Sequence, residues 1–254
     1  MFSVIICSID PVKFAQIRKH YQQLFRGEPY ELIGIHDAKS LSEGYNRGLA
    51  QAKGEFIIFC HDDIEFVSPG DWLARLKNHL AKFDIVGLVG TTKLVHGMWI
   101  YAGPPYIFGQ VVHSGGTPDW PEQYRLEIFS TPAAVVRDIQ AMDGMFIAVH
   151  REVLEKVKFD EKTFDGFHCY DIDFTFSAYL AGFKLAVACD LPVIHRSKGS
   201  MNETWLNAMK KFFVKYNTRL ARAKKRRFAV TLMAVETKEE LLELMLPQHV
   251  AKGP

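Results

Sequence analysis

Several features are missing from this 254-residue sequence, and each absence excludes a class of protein. No apolar run is long enough to cross a bilayer as a helix. The first residues lack the basic start and small-residue cleavage site of a secretory signal peptide. The four cysteines form no C-x-x-C pair, which argues against zinc and is typical of a reducing compartment. We therefore expect a cytoplasmic protein, with peripheral contact at the inner face of the membrane as the alternative.

The overall charge is small but unevenly distributed. Charged residues make up 24% and hydrophobic residues 48% of the chain, as in ordinary globular proteins. Nine Lys or Arg and no acidic residue lie between positions 205 and 227. This stretch predicts a basic amphipathic helix over 205–227, which packs on the domain, lies on an anionic membrane or forms a homodimer contact. Its cluster at 224–227 belongs to no nucleic-acid-binding motif, so no nucleic-acid partner is expected.

Strands and helices alternate along the first 90 residues. Apolar runs predict strands and 3.6-residue periodicity predicts helices between them. Such alternation is typical of a doubly wound α/β fold with a mostly parallel sheet flanked by helices. A Gly-, Pro- and aromatic-rich stretch at 96–121 lacks a clear period, and regular elements then resume. The predicted strands are 3–8, 30–35, 56–60, 85–89, 144–149, 185–188 and 192–194.

The third predicted strand ends abruptly in two adjacent carboxylates, Asp62 and Asp63. In open α/β sheets, ligands bind in the crevice at the carboxyl ends of the strands. Carboxylate oxygens suit Mg²⁺ or Mn²⁺, and these ions in turn hold phosphates. The sequence therefore predicts a metal and phosphate site at this edge, although the same two residues could simply end a strand and begin a turn. Ser8 and Asp37 follow the first two strands, where a nucleotide base and ribose could bind.

Three segments together resemble family 2 glycosyltransferases with the GT-A fold. Residues 45–63 are similar to the family's N-x-G-x-x-x-A-x-G-E run and the D-x-D-type motif that follows it. The His-Asp-Asp version of that motif is most similar to a branch named after a streptomycin-biosynthesis protein. Residues 142–152 resemble the acceptor-side strand and its helix, and 159–174 resemble the F-D-E…E-D-x-D-L stretch. Tyr170 stands where the family usually has Glu.

This resemblance implies an inverting hexosyl- or N-acetylhexosaminyltransferase that takes a nucleotide diphosphate sugar, expected to be a UDP-sugar. The acceptor is expected to be a saccharide or a lipid-linked saccharide. Residues 1–200 would form the GT-A-like catalytic domain, with a nucleotide-binding half at 1–95 and an acceptor half at 96–200. Residues 201–254 would form a C-terminal helical extension.

The resemblance also assigns roles to single residues. It implies that Asp171 is the general base, whereas we expect Asp173 to be the N-cap of the following helix. It implies that Asp63 and His195 hold a divalent cation, Mn²⁺ or Mg²⁺. Basic side chains after His195 could neutralise phosphate, and a glycine permits close approach of a ligand. The residues expected to bind the nucleotide sugar are Ser8, Asp37, Asn46, Asp62, Asp143, Gly144, Arg196 and Lys198.

Alternatives stay open for the role of three aromatic residues and for the function of the whole protein. Trp99, Tyr101 and Trp120 could stack on sugar rings, but aromatic residues in a long loop also form a small core of their own, which we slightly favour. A non-catalytic protein that binds nucleotide sugars or glycans would share the fold. A sugar nucleotidyltransferase is less expected, because residues 7–11 lack the glycine-rich, basic loop that cradles phosphates.

Overall fold

The computed structural model describes residues 1–67, 69–114, 124–197, 201–222 and 230–245. In these ranges the chain alternates between strands and helices, as its sequence pattern predicts. The strands are β1 (Phe2–Cys7), β2 (Tyr30–Ile35), β3 (Phe56–Cys60), β4 (Ile64–Phe66), β5 (Ile85–Gly87), β6 (Val89–Thr91), β7 (Ile107–Ser114), β8 (Tyr124–Ser130), β9 (Val135–Val136), β10 (Ala141–Met142), β11 (Phe146–His150), β12 (Leu185–Ala188), β13 (Val193–His195) and β14 (Thr231–Val235). The helices are α1 (Pro11–Leu24), α2 (Leu41–Leu49), α3 (Pro69–Leu80), α4 (Arg151–Lys156), α5 (Tyr170–Leu180), α6 (Glu203–Tyr216) and α7 (Lys238–Met245), with a short 3₁₀ helix at Trp99–Ala102.

The first sheet has the strand order β2-β1-β3-β11-β5-β12-β9. The predicted α/β class is confirmed, but the sheet is mixed rather than mostly parallel. β1 runs parallel to β2 and β3, whereas β11 runs antiparallel to β3 and β5. The register pairs Phe146, at the start of β11, with Cys60, at the end of β3. The residues just before β11 therefore lie at the edge where β3 ends.

A second sheet has the order β10-β6-β7-β13-β4, and β8 and β14 extend it from β7. One of its strands, β7, lies in the region 96–121, where the sequence shows no clear period. β7 and the 3₁₀ helix both lie in residues 96–121, so this region is partly regular structure rather than a long loop. Its most important pairing joins β13 to β4, with His195 opposite Ile64.

The first sheet lies between two layers of helices, and side-chain alternation along its strands explains why. In β1, Val4 and Ile6 belong to the core that contains α1 and α3. Ile5, between them, belongs to the core that contains α2, α4 and α5. Successive side chains of a strand point to opposite faces, so the continuous apolar run of β1 serves both layers.

The predicted helix over 205–227 is shorter than expected, because α6 ends at Tyr216. The cluster at 224–227 lies outside the described residues. Phe212 and Tyr216 of α6 are buried in the core, so the helix packs on the domain. The segment after residue 200 also contains a strand, since β14 pairs with β8. No helix in the described ranges is long and apolar enough to cross a bilayer.

The prediction that Asp173 is a helix N-cap is wrong. α5 begins at Tyr170, with Cys169 as its N-cap, so Asp173 lies one turn inside the helix. Its buried carboxylate instead joins α5 to α6: Oδ1 lies 2.6 Å from Lys215 Nζ and accepts a hydrogen bond from Tyr216 Oη at 2.6 Å. A buried carboxylate needs such partners, because an unpaired buried charge is strongly unfavourable.

Replacing Lys215 tests this connection between α5 and α6. We expect Lys215→Met to lower the free energy of unfolding by about 1–3 kcal/mol, because it leaves the Asp173 carboxylate without its cation. The loss should stay below that of a fully buried pair, since the Lys215 side chain is 31% exposed. Urea unfolding at pH 7 measures it, with Lys210→Met on the exposed side of α6 as the control. Equal stability of the two variants would contradict the role given to the pair.

Candidate active site

Polar residues from both sheets meet at the carboxyl edge of β3. His61, Asp62 and Asp63 follow β3 directly, and Ser8 follows the neighbouring β1. The antiparallel pairing of β4 with β13 brings His195 beside this turn. The edge predicted from Asp62 and Asp63 is therefore where the polar groups converge.

Three of these side chains form a compact cluster that could hold a metal ion. One ligand atom from each of His61, Asp63 and His195 lies within 4.8 Å of the other two. His195 Nε2 lies 3.3 Å from Asp63 Oδ1 and 3.2 Å from His61 Nδ1. Asp63 Oδ1 is buried without a hydrogen bond, as expected of an atom whose partner is a cation. Two imidazoles and one carboxylate suit Mn²⁺ and other first-row transition metals.

The protonation states of the cluster also fit a cation. Burial, reinforced by the neighbouring charge of His195, lowers the pKa of His61 to about 4. Burial alone would raise the pKa of Asp63, but its contacts with His195 outweigh burial and hold this pKa well below its usual range. At neutral pH the cluster therefore offers a neutral imidazole and a carboxylate, the forms that bind metals.

The sequence predicts Asp63 and His195 as metal ligands, and the structure adds His61 as a third candidate. The signal was present, because His61 stands two residues before Asp63 in the same motif. Tyr170, noted only as a departure from the family pattern, explains how the ring is held. Its hydroxyl lies 2.7 Å from His61 Nε2, which leaves Nδ1 facing His195. A partner on the second ring nitrogen commonly orients histidine ligands in this way.

Asp171 lies in the first turn of α5, close to the residues that precede β11. Its Oδ2 accepts a hydrogen bond from the backbone N–H of Gly144 at 2.8 Å. Burial, together with the negative charge of Asp143, raises the pKa of Asp171 to about 7. Asp143 itself accepts hydrogen bonds from Trp99 Nε1 at 3.2 Å and from Met145 N at 3.0 Å. The arrangement keeps two carboxylates close together, one of them with the proton affinity of a general base.

Two cavities open on this edge. The first, called the Ser8 cavity, has a volume of about 260 Å³ and is lined by Cys7, Ser8, Ile9, Lys13, Ile35, Ala38, Leu41, His61, Asp62, Asp63, Phe167 and Ser197. The second, called the Asp171 cavity, has a volume of about 290 Å³ and is lined by His61, Gly97, Met98, Trp99, Asp143, Phe167, His168, Cys169, Tyr170, Asp171, Ile172, His195, Met201, Trp205 and Met209. His61 and Phe167 line both, so the two cavities adjoin at the cluster that could hold a metal ion.

In the Ser8 cavity, Ser8 Oγ donates a hydrogen bond to Asp62 Oδ2 at 2.6 Å. Lys13, which the sequence analysis did not single out, brings a positive charge to the same cavity and acts electrostatically on Asp62. It lies in the first turn of α1, directly after the β1 loop. The cavity thus joins a carboxylate, a hydroxyl and a cation beside the cluster.

Four of the residues predicted to bind the nucleotide sugar do not line these cavities: Asp37, Asn46, Gly144 and Arg196. Asp37 is exposed and forms an ion pair with Arg47 at 2.7 Å. Asn46 points its side-chain amide at the segment after β11 and α4, donating to Phe159 O at 2.9 Å and to Glu161 Oε2 at 3.0 Å. In this structure Asn46 therefore connects α2 to that segment.

Of the two basic residues predicted to neutralise phosphate, the structure describes Arg196 only. Arg196 follows His195 in the chain, so its side chain is directed to the other side of the strand, where it forms an ion pair with Glu65. Lys238 of α7 binds the same carboxylate. Lys198 lies outside the described residues.

Of the three aromatic residues considered for stacking on sugar rings, one lines a cavity of the site. Trp99 lines the Asp171 cavity and packs against Phe129, with ring centroids 4.8 Å apart. Tyr101 is half exposed, contacts His96 and does not line that cavity. Trp120 lies outside the described residues. Trp205, which was assigned only to a helix face, is a further aromatic wall of the Asp171 cavity.

Comparison with known proteins gives one family and a set of similar structures. A family model described as "Glycosyltransferase like family" matches residues 3–227. A mannosyltransferase from Pyrobaculum calidifontis, solved with GDP-Man and Mn²⁺, is similar over 88% of this chain, with 12% identity and a TM-score of 0.54. This chain spans 65% of that protein, and the likeness shows the fold. The structure of S. aureus TarS 1–349 in complex with UDP is similar over 99% of this chain and 72% of the TarS chain, with 16% identity and a TM-score of 0.48. The curated proteins give no match.

Removing one imidazole tests the cluster as a metal site. We expect His61→Ala to weaken Mn²⁺ binding at least tenfold, because the cluster loses one of its three donor atoms. Electron paramagnetic resonance of free Mn²⁺ during titration measures the affinity without requiring activity. His20→Ala, on α1, is the control. Unchanged Mn²⁺ affinity in His61→Ala would remove His61 from the ligand set.

A glycine-to-alanine pair tests how closely Asp171 is packed against the residues before β11. A Cβ at Gly144 would overlap the Tyr170 hydroxyl and lie 2.7 Å from Asp171 Cβ, whereas a Cβ at Gly166 would meet nothing within 4 Å. We expect Gly144→Ala to cost about 1–3 kcal/mol of unfolding free energy and Gly166→Ala much less. Thermal unfolding of both variants measures the difference. Equal stabilities would show that the contact of α5 with the residues before β11 is looser than described.

Proposed function

Since the chain belongs to the glycosyltransferase-like family, we propose that it is an inverting enzyme that moves a sugar from a nucleotide diphosphate sugar to an acceptor hydroxyl. One observation carries this proposal: Asp171 shares a cavity with His61 and His195 of the candidate metal cluster, and Asp63, the third member, lines the adjoining Ser8 cavity. Glycosyl transfer needs a base for the acceptor and a cation for the leaving group within reach of one sugar. The two adjoining cavities could provide both.

The Ser8 cavity is the proposed donor site. Asp62 and Ser8 can bond to ribose hydroxyls, and Lys13 can neutralise phosphate charge. The cluster of His61, Asp63 and His195 would hold Mn²⁺ or Mg²⁺, which when bound neutralises the charge of the departing diphosphate. The solved mannosyltransferase contains GDP-Man and Mn²⁺, which supports a nucleotide sugar and a metal as the ligand classes. Our specific proposal is a UDP-sugar of the hexosyl or N-acetylhexosaminyl type.

The Asp171 cavity is the proposed acceptor site, with Asp171 as the general base. The hydrogen bond from Gly144 N–H fixes the carboxylate, and its raised pKa makes it a stronger base than an exposed aspartate. Direct attack by the deprotonated hydroxyl, on the face opposite the leaving diphosphate, inverts the anomeric carbon. A saccharide or lipid-linked saccharide is the proposed acceptor.

Peripheral membrane contact and a homodimer stay predictions. α6 leaves Leu206, Phe213 and Val214 exposed, with the exposed Lys210 on the same helix. Either interaction could use this surface, and the other face of α6 is already buried in the core.

A donor panel tests the proposed function. The full chain is incubated with UDP-glucose, UDP-galactose, their N-acetylhexosamine counterparts and GDP-mannose, with Mn²⁺ or EDTA, and the released nucleoside diphosphate is measured. We expect release from a UDP-sugar with Mn²⁺ and little with EDTA. Nucleotide binding without release from any donor would favour the non-catalytic alternative. The absence of both binding and release would contradict the proposal.

Asp171→Asn tests the base directly. We expect kcat to fall about 10²–10⁴-fold, because the amide cannot take the acceptor proton. In the unaltered protein, kcat/KM should fall as the pH drops through about 7, since the raised pKa of Asp171 leaves it protonated below that value. Asp138→Asn, an exposed substitution, is the control. Normal turnover by Asp171→Asn, or a rate independent of pH between 6 and 8, would contradict the assignment.

A further inference from the structure

We propose that the acceptor is an oligosaccharide, and that its second sugar unit binds in a third cavity between α6 and the segment at 163–168. The inference rests on the proposed function, because it extends the acceptor site beyond the Asp171 cavity. This third cavity is named here the Asn207 cavity and has a volume of about 590 Å³.

The position of the Asn207 cavity suits an extended acceptor. Phe167 and His168 line both it and the Asp171 cavity, so the two cavities are neighbours with a common wall. Phe167 also lines the Ser8 cavity. A sugar whose hydroxyl reaches Asp171 would therefore have its next unit directed past Phe167 towards the Asn207 cavity.

The lining of the Asn207 cavity has the chemistry that saccharides require. A sugar ring presents an apolar C–H face and a rim of hydroxyls, so its sites combine an aromatic surface with groups that donate and accept hydrogen bonds. Phe167, which is 56% exposed, offers the aromatic surface. Thr163, Thr204 and Asn207 offer hydroxyl and amide groups on the surrounding walls. Lys210 and Lys211 also line the cavity. A lining with ammonium, hydroxyl and amide groups favours a hydroxyl-rich ligand over the apolar tail of a lipid.

The cavity is held open by contacts between its walls. Lys211 of α6 forms an ion pair with Asp165 at 2.6 Å. Gly166 O accepts a hydrogen bond from Leu41 N, at the start of α2, at 3.2 Å. Both contacts fix the 163–168 segment, so little ordering is needed when a sugar binds. The Asp171 and Asn207 cavities each lie near or within the volume range of about 300–1,000 Å³ that is typical of small-molecule sites.

A saccharide array tests the inference. The full chain, with UDP and Mn²⁺, is applied to printed mono-, di- and trisaccharides, and calorimetry then compares the best-bound oligosaccharide with its component monosaccharides. We expect the oligosaccharide to bind at least about tenfold more tightly than either monosaccharide, because a second unit adds contacts. A monosaccharide that binds as tightly as any longer ligand would overturn the inference.

Asn207→Ala and its matched control Asn217→Ala locate the subsite. Both asparagines are exposed and belong to α6 or its C-terminal cap, but only Asn207 lines the cavity. We expect Asn207→Ala to lower the ratio of oligosaccharide to monosaccharide affinity about three- to tenfold, the effect of one or two hydrogen bonds, and Asn217→Ala to leave it unchanged. Phe167→Ala should lower the same ratio, and thermal unfolding verifies that each variant is folded. An unchanged ratio in both Asn207→Ala and Phe167→Ala would overturn the assignment.

The outcomes separate this inference from the proposed function. With no saccharide added, the donor panel measures hydrolysis, in which water takes the sugar and the nucleoside diphosphate leaves, so its readout depends on the donor site and not on the Asn207 cavity. Release combined with equal use of monosaccharide and oligosaccharide acceptors would keep the function and overturn the second subsite. Oligosaccharide binding without release from any donor would keep the subsite and contradict catalysis.

Discussion

The site depends on one pairing between distant parts of the chain, the antiparallel contact of β4 with β13. It places His195 opposite Ile64 and therefore beside Asp63, the residue just before β4. His61, held by the Tyr170 hydroxyl, completes the cluster. Asp63 Oδ1 is buried in this cluster without a hydrogen bond, and a bound cation would offset the free-energy cost of burying it. The rigid strands on both sides supply the fixed geometry that a metal site needs.

The mixed first sheet brings the residues before β11 to the proposed site. Because β11 runs antiparallel to β3, it starts where β3 ends, and Asp143 and Gly144 arrive at the same edge as the cluster. Gly144 then lies against the first turn of α5 closely enough to exclude a side chain, and its N–H holds the Asp171 carboxylate. The Asp173 contacts with α6 fix α5 from its other side. The proposed base is thus positioned by a backbone hydrogen bond and by the contacts of Asp173 with Lys215 and Tyr216.

The local pattern was sufficient to predict the α/β alternation, the edge marked by Asp62 and Asp63, and the family, which the family match confirms. Features that depend on pairing between distant strands are harder to predict from the sequence. His61 was missed because its role appears only once β13 brings His195 to it. Arg196 and His195 are both predicted at the site, but adjacent side chains at the end of a strand point to opposite sides, and Arg196 forms its ion pair with Glu65 instead. The helix predicted over 205–227 is too long, because basic residues continue in the sequence after Tyr216, where α6 and its buried apolar face end.

The most direct measurement is anomalous X-ray diffraction at the manganese edge from crystals of the full chain grown with Mn²⁺ and UDP. The account predicts one anomalous peak within coordination distance of His61, Asp63 and His195, with the diphosphate bound to the same ion and the nucleoside in the Ser8 cavity. A peak elsewhere, or UDP bound away from this cluster, would contradict the central claim that the cluster and the adjoining cavity form the donor site.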